Sequence, residues 1–114
     1  MELAIEKIVI RALGPWTPYT MGKNMLEGID CPKDEEEANR LFRISYRMNE
    51  VLDSIGYPGG TLFVARCMAN GYGTKKDLDG ALCYYQDYVR ACGSNDKIDK
   101  EIKLVKHELK KQKL

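Results

Sequence analysis

The sequence has a single histidine, His107, and none of its four cysteines belongs to a Cys-x-x-Cys pair. Structural zinc sites need several such ligands at close spacing, and this histidine is far along the chain from the cysteines. We therefore expect no metal and no cofactor. We also expect the thiols to be reduced, and most of them to act as small apolar packing residues. The four residues are Cys31, Cys67, Cys83 and Cys92.

The chain also lacks long apolar runs and a dominant charge. No stretch approaches the run of about 20 apolar residues that a membrane-spanning helix needs. The apolar residues 1–13 are interrupted by Glu2, Glu6 and Lys7, and no small-residue cleavage site follows, so we expect no secretory signal. The net charge of +1 gives no overall attraction to nucleic acid or anionic lipid. These absences predict a cytoplasmic protein that does not act at a membrane.

What the sequence does contain is an internal repeat with a step of 43 residues. Residue size and charge are copied at this step as well as identity, since Gly22 pairs with Ala65 and Phe42 pairs with Tyr85. A period of this length is typical of stacked helical pairs. The identical residues include Gly28 and Gly71, Lys33 and Lys76, Asp34 and Asp77, and Ala38 and Ala81.

Apolar spacing predicts helices along the whole chain. The first covers residues 3–13 and ends at Gly14-Pro15, although the alternation around Ile8 and Ile10 leaves a strand as the competing interpretation. The second runs from about Pro18 to Glu27, and its small Gly22 allows a neighbouring helix to approach closely.

Two aspartates mark the starts of later helices. Asp34 and Asp77 are predicted N-caps, and Asp34 with Glu37 has the spacing of a capping box. The helix after Asp34 ends before Gly56, a further helix covers about Gly60 to Asn70, and the helix after Asp77 ends at Gly93. The last helix follows Asp96. The predicted buried stripes are Ala38, Leu41, Phe42, Ser45, Met48, Leu52 and Ile55; Val64, Ala65 and Met68; Ala81, Tyr84, Tyr85, Tyr88 and Ala91; and Ile98, Ile102, Val105 and Leu109.

The second copy carries an ordered set of motifs: Val64-Ala65, Met68, Gly71-Tyr72-Gly73-Thr74, Asp77, Ala81, Tyr84-Tyr85 and Ala91-Cys92-Gly93. This set resembles the Sel-one-like repeat, a relative of the tetratricopeptide repeat. The first copy keeps Met21-Gly22, Met25, Gly28, Cys31-Pro32, Asp34 and Ala38, but it has Asp30 at the place of the second glycine. The resemblance covers roughly residues 16–93.

The resemblance implies an all-α fold, namely a short right-handed α-solenoid of about six helices in one domain over residues 1–114. A half repeat would cover residues 1–14, the two full repeats residues 16–56 and 57–93, and a capping helix residues 94–114. It also implies a non-catalytic adaptor or scaffold that binds a protein or peptide on its concave face. By register, the concave positions are Tyr19, Lys23, Leu26 and Glu27 in the first copy and Leu62, Arg66, Ala69 and Asn70 in the second.

Lys23 and Arg66 occupy equivalent places, so a ligand that carries a carboxylate is one interpretation, and two solvated cations is the other.

No nucleophile is paired with a plausible base, so we expect no enzyme. A small inhibitor or accessory factor, for example a phage-encoded one, that covers a partner's functional surface is an alternative. Residues 97–114 hold seven lysines against three acidic residues, so nucleic-acid contact through Lys103, Lys106 and Lys110 is another. Pairing of exposed apolar ends as a homodimer also stays open.

Overall fold

The computed structural model describes Gly14 and residues 16–113. Within these residues the chain forms five α-helices and no strand, which confirms the all-α prediction. The predicted first helix and most of the predicted half repeat lie outside the described residues. The helices are α1 (Thr17–Glu27), α2 (Glu35–Ser54), α3 (Pro58–Asn70), α4 (Leu78–Cys92) and α5 (Asp96–Gln112). Each packs chiefly against its neighbours in sequence, α1 on α2, α2 on α3, α3 on α4 and α4 on α5.

The 43-residue step is repeated in the backbone of the two loops that follow α1 and α3. Gly28 ends α1 with φ 71° and ψ 33°, and Gly71 ends α3 with φ 71° and ψ 32°. The N–H of Asp34 then donates to the carbonyl of Met25 at 2.9 Å, as the N–H of Asp77 donates to that of Met68 at 2.9 Å. Two of the identities that revealed the repeat in the sequence, Gly28 with Gly71 and Asp34 with Asp77, therefore shape these two turns.

The aspartate that interrupts the pattern keeps the geometry of the glycine it replaces. Asp30 has φ 58°, and Gly73, at the equivalent place, has φ 73°. Aspartate is among the few side chains that enter this left-handed region without severe strain. The first loop thus adopts the same turn as the second without its second glycine.

Both predicted N-caps are confirmed. A carboxylate oxygen of Asp34 accepts from the N–H of Glu37 at 3.1 Å, and one of Asp77 accepts from the N–H of Gly80 at 2.9 Å. The predicted capping box is wrong, because the Asp34 N–H does not donate to the Glu37 carboxylate and both groups have other partners. The Asp34 N–H donates to the backbone carbonyl of Met25, and the Glu37 carboxylate accepts from Arg40 Nε at 2.9 Å.

The core consists of two clusters joined through α3. An aromatic cluster around Tyr19, Phe42 and Cys67 lies between α1, α2 and α3. The prediction that Gly22 permits close approach is confirmed, since a Cβ atom there would lie 2.8 Å from the Phe42 ring. The second cluster joins α3, α4 and α5 through Leu62, Ala65, Leu78, Ala81, Tyr85, Ile98, Val105 and Leu109.

Two residues of the predicted buried stripes are exposed. Ile55 is 73% exposed because it follows the last residue of α2 and no longer continues the helical stripe. Ala91 is exposed in the last turn of α4, where the chain leaves the packed core. The stripe of α5 is confirmed, with Ile98, Val105 and Leu109 buried and Ile102 packed against them.

The prediction that most cysteines pack inside is also wrong. Cys67 is buried and Cys31 is half-buried, but Cys83 and Cys92 are exposed. Cys83 is two residues from both Ala81 and Tyr85, the residues that α4 buries. A step of two residues turns a side chain roughly to the opposite side of a helix, so Cys83 faces solvent.

Two glycines with similar backbone angles should respond differently to alanine. Gly56 and Gly73 have φ 85° and 73°, so each substitution should lower the free energy of unfolding by about 1–2 kcal/mol through backbone strain. A Cβ atom on Gly73 would also lie 2.2 Å from the carbonyl oxygen of Phe42, whereas one on Gly56 meets nothing within 4 Å. Urea unfolding should therefore show Gly73→Ala to be clearly the more destabilising change. Equal losses would contradict the close approach of this loop to α2.

Candidate functional site

An open groove of about 420 Å³ runs between α1 and α3 and reaches the beginning of α5. Its volume lies within the range of ordinary ligand sites. Aromatic rings and charged side chains both line it, and the described residues of its lining include no histidine, cysteine or serine. The lining residues are Trp16, Tyr19, Thr20, Lys23, Asn24, Glu27, Ile29, Phe63, Arg66 and Lys97.

Four of the five partner-binding residues predicted from the sequence line this groove, namely Tyr19, Lys23, Glu27 and Arg66. The fifth, Asn70, is exposed in the last turn of α3, and its side-chain amide donates to the backbone carbonyl of Arg66 at 2.9 Å. Three other positions assigned to the concave face by register pack against the core instead. They are Leu26, Leu62 and Ala69.

Tyr19 forms the floor of the groove. Its ring makes edge-to-face contacts with Phe63, Tyr72 and Phe42, at centroid distances of 5.2, 5.8 and 6.0 Å. Phe42 and Tyr72 stack on each other at 4.0 Å with an interplanar angle of 4°. Burial raises the pKa of the Tyr19 hydroxyl well above its ordinary value, so the floor is neutral at physiological pH. This floor is an apolar, rigidly packed surface.

Arg66 is held in place by the last helix. Its Nε and Nη2 donate to the two carboxylate oxygens of Glu101 at 2.8 and 3.1 Å, a bidentate arrangement. The hydroxyl of Tyr85 donates to the same carboxylate at 3.1 Å, and the guanidinium lies 5.1 Å from the centroid of the Phe63 ring. Burial lowers the pKa of Arg66, but the hydrogen bond and charge of Glu101 outweigh it and leave the pKa raised. Arg66 is therefore a charged residue whose charge is already balanced within the protein.

Two other cations of the groove differ from Arg66. Lys23 is half-buried on α1, and Lys97 is exposed in the first turn of α5. Among the described residues neither ammonium group has an ion-pair partner. These two groups are the cations of the groove that remain available to an incoming anion.

The three lysines of the predicted basic patch on α5 are exposed and, at steps of three and four residues, lie along one face of the helix. Lys103 lines a shallow depression with Lys100, Leu104 and His107. Lys106 lines a different one together with Arg90. Lys110 is exposed near the end of the helix. Glu108 of α5 forms an ion pair with Lys76 at 2.9 Å, which links the helix to the loop before α4.

The described part of the chain contains no cluster of histidine, cysteine, aspartate and glutamate side chains that could hold a metal ion. None of its helices is long and apolar enough to cross a membrane. The buried thiol, Cys67, has its pKa raised to about 12 by burial, although a hydrogen bond with Ser45 acts in the opposite direction.

Comparison with protein-family models, with curated proteins and with solved structures gives no match for this chain. The resemblance to the Sel-one-like repeat therefore remains a prediction that rests on the quoted residues.

Sequence reasoning missed four residues that shape the groove: Trp16, Phe63, Lys97 and Glu101. Helical spacing could have found the first two, because Trp16 stands three residues before Tyr19 and Phe63 three residues before Arg66. No comparable signal marks Lys97 and Glu101. Glu101 is 35 residues from Arg66 in the chain, so only the packing of α5 brings them to the groove.

The Arg66–Glu101 pair should contribute more to stability than an exposed pair of the same type. In a double-mutant cycle with Arg66→Met and Glu101→Gln, we expect a coupling energy of about 1–3 kcal/mol in urea unfolding. The side chains of this pair are 13% and 23% exposed.

The matched control is the pair Arg90–Asp87, whose side chains are 75% and 56% exposed. The cycle with Arg90→Met and Asp87→Asn should give a coupling energy below about 1 kcal/mol. Similar coupling in the two cycles would show that Arg66 does not anchor α5.

Cys67 should be protected from thiol reagents in the folded protein. At pH 8 its raised pKa keeps it protonated, and burial denies the reagent access. In a variant with Cys31→Ser, Cys83→Ser and Cys92→Ser, reaction with a chromogenic disulfide should be slow in buffer and fast in urea. The wild type should in contrast show rapid reaction of its exposed thiols. Rapid labelling of the variant without denaturant would be inconsistent with this packing.

Proposed function

We propose that this protein is a non-catalytic protein-interaction module, an adaptor or scaffold that binds a segment of a partner in the groove between α1 and α3. Its architecture under this proposal is a short right-handed α-solenoid. The pairs α1–α2 and α3–α4 are its two repeats, and α5 is the capping helix.

The repeated loop geometry supports this architecture. The turns after α1 and α3 have the same backbone angles and the same hydrogen bonds at a step of 43 residues. The sequential packing of the helices also agrees with a stack in which each unit contacts its neighbours.

The observation that carries the proposed function is the composition of the groove. It combines the ring of Trp16, 48% exposed, and the packed ring of Phe63 with the ammonium groups of Lys23 and Lys97, which have no ion-pair partner within the described part of the chain. Aromatic anchors beside a few polar groups are typical of surfaces that bind proteins. The groove offers contacts for recognition, whereas the residues described in its lining provide no nucleophile paired with a base.

The test is retention of a partner by variants that change the groove without disturbing the fold. Arg66 is a poor choice for substitution because its loss would leave the largely buried carboxylate of Glu101 on α5 without its ion-pair partner. Lys23→Glu reverses the charge of an unpaired side chain and should leave the melting temperature close to that of the wild type. A partner captured from cell extract by the wild type should be lost with Lys23→Glu.

The control is Lys75→Glu, which makes the same change at an exposed, unpaired lysine in the loop between α3 and α4. This variant should retain the partner. Equal retention by both variants would place the binding surface outside the groove and contradict the proposal.

A further inference from the structure

Trp16 and Phe63 give the groove an apolar wall with one fixed and one accessible ring. Phe63 is fixed between the ring of Tyr19, 5.2 Å away, and the guanidinium of Arg66 at 5.1 Å. Trp16 stands at the beginning of α1 with 48% of its surface exposed. An aromatic or large aliphatic side chain placed here would bury apolar area on both sides at little cost in protein rearrangement.

The charges around this wall suit a single carboxylate. The charge of Arg66 is already paired with Glu101, and its guanidinium lies beside the Phe63 ring. Lys23 and Lys97 have no ion-pair partner among the described residues, and Glu27 adds one negative charge to the same groove. With Arg66 cancelled by Glu101, these three residues leave one net positive charge. A run of phosphates would meet Glu27, whereas a single carboxylate can be held by the two ammonium groups.

We propose that the ligand of this groove is a peptide segment in which a carboxylate stands next to an aromatic or large aliphatic side chain. Lys23 and Lys97 hold the carboxylate, and the apolar side chain lies against Trp16 and Phe63. This inference rests on the proposed function. It assigns the contact with the carboxylate of the ligand to Lys23 and Lys97, whereas the sequence indicated Lys23 and Arg66.

The first experiment is selection from a random 12-residue peptide library displayed on phage, with the full-length protein as bait. We expect the enriched peptides to contain aspartate or glutamate within one or two positions of tryptophan, phenylalanine or leucine. A synthetic peptide from this set should bind about tenfold more tightly than its twin with glutamine in place of the acidic residue, because charge-assisted hydrogen bonds are lost in the twin.

The variants then locate the contact. Lys23→Gln and Lys97→Gln should each weaken binding of the acidic peptide and leave binding of the glutamine twin unchanged. Lys75→Gln should change neither affinity. This pattern separates a direct charge contact from a general effect on folding, because a folding defect would weaken both peptides.

Two outcomes would overturn the inference. One is a selection that enriches nothing or enriches peptides without acidic residues. The other is tighter binding of a single-stranded 12-residue oligothymidine than of the selected peptide, weakened by Lys23→Gln and Lys97→Gln. If the selection yields no acidic peptides but a cellular partner is still lost with Lys23→Glu, the proposed function is supported and only this inference fails. The two proposals can therefore fail separately.

Discussion

The guanidinium of Arg66 is the point where three helices of this protein meet. It extends from α3, pairs with Glu101 of α5, and through that carboxylate is connected to the hydroxyl of Tyr85 on α4. Because both charged side chains are largely removed from solvent, removal of one would leave the other without its partner in a poorly hydrated place. The interaction therefore fixes the position of α5 relative to α3, and with it the end of the groove that Lys97 lines.

The aromatic cluster has the corresponding role on the other side of the groove. The ring of Phe42 packs closely against α1 at Gly22, stacks on Tyr72 and makes an edge-to-face contact with Tyr19. Its backbone carbonyl is also the atom that the loop around Gly73 approaches. One residue of α2 thus limits how near the first helix and the second loop can come, through its ring and its backbone carbonyl respectively, and the groove floor follows from that packing.

The groove consequently has a division of roles among side chains of similar chemistry. Tyr19 and Arg66 are polar residues that support the surface, the first kept neutral by burial and the second balanced by Glu101. Lys23 and Lys97 have no partner among the described residues and remain available. The equivalence of Lys23 and Arg66 in the repeat is therefore one of sequence position, while their surroundings give them different functions.

The sequence by itself determined the local structure. The N-caps at Asp34 and Asp77, the glycine ends of α1 and α3, and the buried stripe of α5 all depend on residues within one or two turns of each other, and they were predictable for that reason. The register of the resemblance to the Sel-one-like repeat also indicated four of the residues that line the groove.

Only the tertiary structure decided which charged side chains of the groove have an ion-pair partner among the described residues. The pairing of Arg66 with Glu101, the arrival of Lys97 and the exposure of Cys83 depend on which face of a helix meets which neighbour. Apolar periodicity shows that a helix has a buried face, but the burial of apolar area is non-directional and does not specify the partner across that face. The contacts of α5 with residues about 35 positions earlier were therefore decided by packing.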